Sequence, residues 1–256
     1  MGGPPSNRGG SSSPFTTMMR ERGEALTTII PLFTVFLFHL TSVHPALHSI
    51  MVNLIHSTEN GDGIIGYLAR VSNPKALPSD DAAKLIRYLI KHNHWSPFEM
   101  ASMCVEINTT RDISAQILRH RSFSFQEFSQ RYAEVPPAEI PYFRTQDTEN
   151  RQNSKDELEP YKQQELQWKA AKVMVRVHTL YQQLLEEGVA KECARKILPM
   201  CSPTKLYMHG TVRSWIHYIN LRSANGTQKE HQEIATECGR LLRQCFPFTA
   251  AAALDK

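Results

Sequence analysis

The residues best suited to chemistry lie in one short stretch, residues 119–132, which we call the cationic motif. Three arginines, one histidine and one glutamate are interleaved there with three phenylalanines. A guanidinium group is planar and permanently charged, and it matches the oxygens of a phosphate or a carboxylate two at a time. The motif therefore predicts a binding site for an anion. The phenylalanines indicate that this anion is attached to a flat ring.

The cationic motif resembles the signature of the flavin-dependent thymidylate synthases. Arg-His-Arg is followed by seven residues and then by Ser-x-Arg-Tyr, and further matches follow in the order that the family has them. They are His94-Trp95-Ser96-Pro97-Phe98-Glu99, Gln116, Ala194-Arg195 with Leu198-Pro199, Arg213, and Asn220-Leu221-Arg222. The resemblance covers roughly residues 51–248. It departs from the family at Phe125 and Gln126, where relatives often carry Tyr and Asn, and in its long N-terminal extension.

The resemblance implies a reaction, the reductive methylation of dUMP to dTMP. The carbon donor would be 5,10-methylenetetrahydrofolate, and NADPH would be the reductant through bound FAD, with no metal. A protein that works with such cofactors contributes binding, orientation and electrostatics. A phosphate, a pyrophosphate and a negative charge developing on a uracil ring all need fixed cations. The number of arginines agrees with that need.

The resemblance also implies roles for individual residues, carried over by position. Arg222 would face the pyrimidine and stabilise an anion at N3 of the ring, which makes it the predicted catalytic residue. No base adjacent to Ser129 is evident in the sequence, so we expect Ser129 to donate a hydrogen bond rather than to act as a nucleophile. The predicted dUMP-binding residues are Gln116, Arg119, Glu127, Ser129, Gln130, Arg131, Arg195 and Arg222.

The flavin site implied by the resemblance draws on other parts of the chain. His94 would lie near the reacting ring and the folate. The predicted FAD-binding residues are Ser96, Arg119, His120, Arg121, Glu127, Arg213 and His217.

Other functions stay possible for the same residues. Most of these arginines and histidines could be solvated surface groups, and the cationic motif could contact a single-stranded nucleic acid with its phenylalanines as stacking platforms. Glu127 would repel a phosphate backbone, so we predict no nucleic-acid partner. His92 and His94 could be a metal pair, but no further ligands accompany them. A relative that binds nucleotide without turnover is the last alternative.

Composition narrows the class of protein. A net charge of +4 suits an enzyme with anionic substrates and is too small to predict nucleic-acid binding. No cysteine lies near the cationic motif, so the sequence offers no thiolate to attack a pyrimidine. The cysteines form no Cys-x-x-Cys pair and are predicted to be free thiols in a reducing compartment; they are Cys104, Cys193, Cys201, Cys238 and Cys245.

Residues 1–50 differ from the rest of the chain and are excluded from the predicted fold. Their start is rich in Gly, Pro and Ser and is predicted to be disordered. An apolar run over residues 25–40, interrupted by Pro31, is shorter than the ~20 residues of a membrane span. It resembles a signal-peptide core or an organellar targeting segment. Alternatively, translation starts at Met51. We predict a cytoplasmic location, or an organellar one if the targeting segment is real.

Periodicity predicts an α+β domain over residues 51–250. Short strands are expected at residues 52–56 and 101–108, and an amphipathic helix at 82–92. Asp112 is expected to cap a helix ending at Arg119. A loop over residues 135–160 leads to a long helix at 161–187 and a short helix before Pro199. Final helices are expected at 204–221 and 227–245. The resemblance adds a central, mostly antiparallel sheet flanked by helices, in a homotetramer with shared active sites.

Residues 61–66 spell Gly-x-Gly-x-x-Gly after a predicted strand, as in dinucleotide-binding folds. Asp80 and Asp81 lie near the distance expected for an acidic ribose ligand. That ligand must follow a second parallel strand, and Pro74 and Pro78 interrupt the only candidate. We therefore predict a glycine-rich turn here rather than a dinucleotide site.

Overall fold

The computed structural model describes residues 51–71 and 82–255. The predictions for residues 1–50 and 74–81 lie outside these ranges, and the cellular location stays a prediction. Two single-turn 3-10 helices lie at Ser96–Glu99 and Arg195–Ile197. The strands and α-helices in these ranges are β1 (Met51–Ser57), α1 (Gly61–Leu68), α2 (Ala82–Lys91), β2 (Ser102–Thr110), α3 (Arg111–Ile117), β3 (Ser124–Glu127), β4 (Thr145–Gln146), β5 (Ser154–Lys155), α4 (Pro160–Glu186), α5 (Lys191–Ala194), β6 (Pro203–Thr211), α6 (Val212–Arg222), α7 (Lys229–Cys245) and α8 (Pro247–Ala253).

Four strands form one antiparallel sheet in the order β1-β2-β6-β3. Ser102 lies opposite Thr211, and Ser124 lies opposite His209. Strands β4 and β5 pair separately as a small hairpin within the loop that follows β3. The predicted central antiparallel sheet with flanking helices is therefore confirmed. None of the helices in the described ranges is long and apolar enough to cross a bilayer.

The predicted helix over residues 204–221 is wrong in its first half, which is strand β6. Leu206 and Met208 are buried while Lys205 and Tyr207 are exposed, which is the two-residue alternation of a strand. The helical spacing of α6 begins at the residue after this strand, so no loop residues separate the strand pattern from the helix pattern in the sequence. Thr211 marks the boundary, because its hydroxyl oxygen accepts a hydrogen bond from the Ser214 amide as an N-cap.

The predicted glycine-rich turn at residues 61–66 is also wrong, because these residues begin helix α1. The buried carboxylate of Asp62 accepts hydrogen bonds from the backbone amides of Phe248 at 2.7 Å and Thr249 at 3.3 Å. The Thr249 hydroxyl donates a third bond at 2.6 Å. Asp62 thus satisfies the N-terminal amides of α8, a helix that the periodicity did not predict. A Cβ at Gly61 would lie 2.1 Å from the ring of Phe246.

Other boundaries differ only slightly from the predictions. Thr110 rather than Asp112 occupies the N-cap position of helix α3, and its hydroxyl makes no capping bond but donates to the Asp112 carboxylate at 2.5 Å. Helix α4 matches its predicted range within one residue at each end. It is followed by Gly188, whose φ of 82° lies in the left-handed region that favours glycine.

Two apolar clusters hold the site in place. The larger packs helices α1–α3 and α6–α8 against the sheet, and there Trp215 donates from Nε1 to the Met103 carbonyl at 2.9 Å. The smaller contains Val135, Tyr181 and Ala194 and fixes the segment after β3 against α4 and α5. The second cluster therefore brings the end of the cationic motif beside the segment that carries Arg195.

Candidate active site

The centre of the candidate site is a contact between the end of α6 and the residues after α3. Arg222 donates from Nε to Nε2 of His120 at 2.9 Å. The ring of Tyr218 meets the His120 ring edge-on, with 4.9 Å between ring centroids. Burial, followed by the charges of Arg222 and His217, lowers the pKa of His120 to about 4. His120 is therefore neutral at physiological pH, which lets its Nε2 accept the hydrogen bond from Arg222.

A polar chain joins Gln116 to the start of α7. Gln116 donates from Nε2 to Oε1 of Gln228 at 2.6 Å, and its Oε1 lies 3.3 Å from Nδ1 of His231. His231 is fully buried, and its Nε2 lies 3.1 Å from the Tyr218 hydroxyl. Burial is the main cause that lowers the pKa of His231 to about 3, so this ring is also neutral.

Sequence reasoning missed Gln228, His231 and Tyr218 as parts of the site. One signal was present for His231, which shares the apolar spacing of α7 with Ile234, Ala235 and Cys238. A histidine on an otherwise apolar buried face needs hydrogen-bond partners. The sequence does not reveal that one of those partners is Gln116.

An open cleft of about 1070 Å³ lies along α6. Arg213 and His217 are four residues apart on one face of the helix, and both line the cleft. Arg213 forms an ion pair with Glu99 at 2.8 Å, at the end of the 3-10 helix that begins at Ser96. The structure therefore places two of the predicted flavin-binding residues, Arg213 and His217, in one cleft. The third, Ser96, begins the short helix that ends at Glu99. The remaining lining residues are Arg87, Ile90, Lys91, Asn93, Trp95, Ser122, Ser214, Ile216, Asn220 and residues 251–253.

Glu127, at the end of β3, lies in a cluster of its own. Its Oε1 accepts from the hydroxyls of Ser114 at 2.5 Å and Thr204 at 3.1 Å, and it forms an ion pair with Arg111. These contacts tie β3 to α3 and β6. Both hydrogen bonds use Oε1 of Glu127.

The segment after Glu127 forms a second cationic group. Arg131 pairs with Glu192 at 3.0 Å, and Arg195 follows Glu192 by three residues. Gln130 is buried, and its Nε2 has no hydrogen-bond partner among the described residues. Leaving a buried amide donor without a partner costs free energy. The Gln130 amide therefore indicates a place where an acceptor from a ligand or another chain would bind.

Several predicted residues stay outside these clusters in the single chain. Arg119, Arg121 and Ser129 are exposed, and no ion pair within the described ranges involves either arginine. His94 is exposed beside Tyr88 and His92, at ring-centroid distances of 6.1 and 6.3 Å. In the described ranges no group of three or more His, Cys, Asp or Glu side chains is arranged to hold a metal ion. All five cysteines are free thiols.

Residues 53–248 match the model of a family described as "Thymidylate synthase complementing protein". A relative from Paramecium bursaria Chlorella virus 1, "Probable flavin-dependent thymidylate synthase", is 46% identical over 82% of this chain and 97% of its own length. The chain belongs to the flavin-dependent thymidylate synthase family. The resemblance stated from the sequence is thereby confirmed.

A second relative and a solved structure agree with this assignment. The "Flavin-dependent thymidylate synthase" of Synechocystis sp. is 48% identical over 76% of this chain and 89% of its own length. A crystal structure of a UMP/dUMP methylase from Streptomyces cacaoi, bound with 5-Br dUMP, superimposes with a TM-score of 0.72. It is 27% identical to this chain, and the match covers 80% of this chain and 94% of the methylase.

Proposed function

We propose that this chain catalyses the reductive methylation of dUMP to dTMP. In this proposal 5,10-methylenetetrahydrofolate donates the carbon unit, and NADPH is the reductant through bound FAD. Family membership supports the reaction class, and the methylase of similar fold is one whose structure contains a dUMP analogue. The observation that carries the proposal is the contact of Arg222 with a neutral His120.

Arg222 is the residue that we assign to catalysis. Within the described residues no carboxylate pairs with it, and its partner His120 is an uncharged acceptor. The positive charge of the guanidinium is therefore directed at a ligand rather than neutralised inside the protein. A fixed cation stabilises negative charge that develops on a pyrimidine ring, since it needs no reorganisation during the reaction. Arg222 would thus stabilise the N3 anion of the uracil and activate the ring carbon that is methylated.

The cleft along α6 fits a flavin dinucleotide in its chemistry. It combines the guanidinium of Arg213, the imidazole of His217 and serine hydroxyls with the apolar wall formed by Trp95 and Ile216. Such a mixture suits a ligand with an anionic pyrophosphate and flat rings. We assign FAD to Ser96, Arg119, His120, Arg121, Glu127, Arg213 and His217. When bound, FAD supplies the chemistry that transfers both the reducing equivalents and the one-carbon unit.

The nucleotide is assigned to the two cationic groups and the Gln116 chain. Gln116, Arg119 and Arg222 would contact dUMP from one side. Ser129 would donate a hydrogen bond, and Arg131 and Arg195 would bind the phosphate. The unpartnered Nε2 of Gln130 supports this part of the proposal. His94 would lie near the folate and the reacting ring.

We further propose a homotetramer whose active sites use residues from several subunits. No hydrogen bond or ion pair in the described ranges joins Arg131 and Arg195 to Arg222. Arg119 and Arg121 are exposed in the single chain. Subunit contacts would bring the separate cationic groups around one nucleotide. Ligands that bridge subunits would also stabilise the assembly by mass action.

Visible absorption of the purified protein tests the flavin assignment and separates it from nucleic-acid binding. We expect a yellow protein, or a colourless one that takes up added FAD with a change in the visible flavin spectrum. Binding of a fluorescent single-stranded oligonucleotide is the comparison, and we expect none at physiological salt. A protein that stays colourless with FAD and binds the oligonucleotide would replace this proposal with nucleic-acid binding.

A further inference from the structure

Tyr218 is a fully buried tyrosine, and its hydroxyl needs an acceptor inside the protein. In the described part of the chain, this hydroxyl forms a hydrogen bond only with Nε2 of His231, at 3.1 Å. Burial raises the pKa of the hydroxyl, so it keeps its proton. A buried donor that lacks an acceptor costs free energy. The Tyr218 hydroxyl therefore donates to Nε2 of His231, and this nitrogen carries no proton of its own.

The proton of the His231 ring is then on the other nitrogen. Burial is the largest of the causes that lower the pKa of His231 to about 3, so the ring is neutral and has a single N–H group. Since Nε2 accepts from Tyr218, that proton is on Nδ1. Nδ1 lies 3.3 Å from Oε1 of Gln116 and donates to it. The directions of both contacts thus follow from the Tyr218 hydroxyl.

The contact with His231 decides which end of the Gln116 side chain is turned away from the core. The carboxamide has a donor end and an acceptor end of nearly the same shape. Because Nδ1–H holds the oxygen, the amino group is directed at Gln228, whose Oε1 accepts one N–H at 2.6 Å. A reversed amide would turn its amino group towards Nδ1–H, donor against donor. Gln116 is only half-buried, so its amino end lies where a ligand has access.

Tyr218 also contacts the part of the site that holds Arg222. Its ring meets the His120 ring edge-on, with 4.9 Å between the centroids, and His120 accepts from Nε of Arg222. The hydroxyl of Tyr218 therefore acts on Gln116 through His231, while its ring packs against His120. Removal of the hydroxyl alone should change the first relationship and keep the second.

We propose that Tyr218 and His231 are positioning residues that hold the donor end of Gln116 towards a ring carbonyl of the pyrimidine nucleotide. Neither side chain is assigned to the nucleotide, and both act through Gln116. The amino group of Gln116 has two N–H groups, and Gln228 accepts one of them. The other matches a carbonyl oxygen of uracil, which is an acceptor. This inference rests on the proposed function, which places dUMP beside Gln116.

The position of the His231 proton is tested without any ligand. Nitrogen NMR of protein with isotope-labelled histidine distinguishes a protonated ring nitrogen from an unprotonated one, and the spectrum of His231→Asn identifies the signals of His231. We expect a protonated Nδ1 and an unprotonated Nε2 in the wild-type protein. A wild-type His231 ring with its proton on Nε2 would overturn the inference, whatever reaction the enzyme catalyses.

A double-mutant cycle tests the action on Gln116 in the flavin-loaded enzyme, with the dissociation constant of dUMP, the KM for dUMP and kcat as readouts. Tyr218→Phe removes only the hydroxyl, and we expect about tenfold weaker dUMP binding, the weight of one oriented hydrogen bond. The kcat should stay within about threefold, because the ring remains against His120. Gln116→Ala should weaken binding at least as much, and the double variant should match Gln116→Ala alone.

Tyr207→Phe is the matched control, because it also loses one hydroxyl, which donates to Glu106 on the sheet at 2.9 Å, and it should bind dUMP like wild type. If Tyr218→Phe does not fold, His231→Gln replaces it, since a glutamine can both donate and accept and so loses the fixed direction. Effects of Tyr218→Phe and Gln116→Ala that add would indicate lost packing and overturn the inference. Wild-type affinity for dUMP in Tyr218→Phe would overturn it as well. Wild-type enzyme that binds dUMP but forms no dTMP would overturn the proposed function alone.

Discussion

Arg222 donates from Nε to Nε2 of His120 across 2.9 Å, and this bond joins the end of α6 to the cationic motif. The two residues are 102 positions apart in the chain. An acceptor without charge orients the guanidinium and leaves its positive charge for a ligand. The cleft with Arg213 and His217 lies along the same helix. This relationship is the structural basis for assigning Arg222 to catalysis.

Arg222→Lys is expected to lower kcat for dTMP formation by about 100- to 1000-fold, the usual cost of losing one oriented electrostatic contact. Lysine keeps the charge but lacks both the planar fork and the Nε–H that His120 accepts. Bound flavin, measured by its visible absorption, should remain. Arg240→Lys is the control, since Arg240 is an exposed residue that pairs with Glu237. Unchanged turnover in Arg222→Lys would remove this residue from the catalytic role.

Stability should fall as the pH is lowered from about 6.5 towards 3. His231 has a pKa of about 3 in the folded chain, against an ordinary value of 6.5. Between these values the unfolded state binds a proton that the folded state does not, so unfolding becomes more favourable as the pH falls. Urea unfolding at fixed protein concentration, for wild type and His231→Asn, measures this effect. The free energies of unfolding of wild type and His231→Asn should become more similar as the pH falls. A difference that is constant with pH would contradict the assignment of a neutral His231.

Asp62→Asn is expected to destabilise the fold by about 2 kcal/mol, because it removes the charge that accepts hydrogen bonds at the start of α8. The replacement amide also turns a donor towards backbone amides. Chemical unfolding measures the loss, and Asp255→Asn is the exposed control that pairs with Arg243. An unfolding free energy equal to that of wild type would mean that α8 does not depend on this carboxylate.

Arg195→Gln is expected to raise the KM for dUMP by about tenfold or more, because a charged hydrogen bond to phosphate is worth about 1.5–3 kcal/mol. Lys196→Gln changes the neighbouring exposed residue by the same charge and should leave the KM within about twofold. Steady-state kinetics at constant ionic strength compares the two variants. Equal changes for both would indicate a general effect of charge rather than a phosphate contact at Arg195.

The parts of the fold that the sequence predicts are those with local signals. Helix α4 shows helical periodicity, and it is followed by Gly188, a residue suited to its left-handed backbone. Strands β1 and β2 lie close to their predicted ranges. Strand β6 differs from the prediction because its two-residue alternation passes directly into the helical spacing of α6, with Thr211 as the local boundary signal.

The parts of the site that the sequence does not predict depend on contacts between distant residues. Asp62 contacts a helix whose residues are 186 and 187 positions away. Gln228 and His231 meet Gln116 across 112 and 115 positions. Residue types and spacing identify the arginines, because cation chemistry is visible in sequence. They do not identify which neutral side chains orient those arginines and Gln116.

The most direct test of the proposed function is an anaerobic assay of dTMP formation from dUMP. Flavin-free protein is supplied with FAD, NADPH and 5,10-methylenetetrahydrofolate, and each component is omitted in turn. We predict dTMP in the complete mixture and none when any one component is missing. Formation of dTMP at the same rate without FAD, or no dTMP from protein that has bound FAD and dUMP, would contradict the proposal.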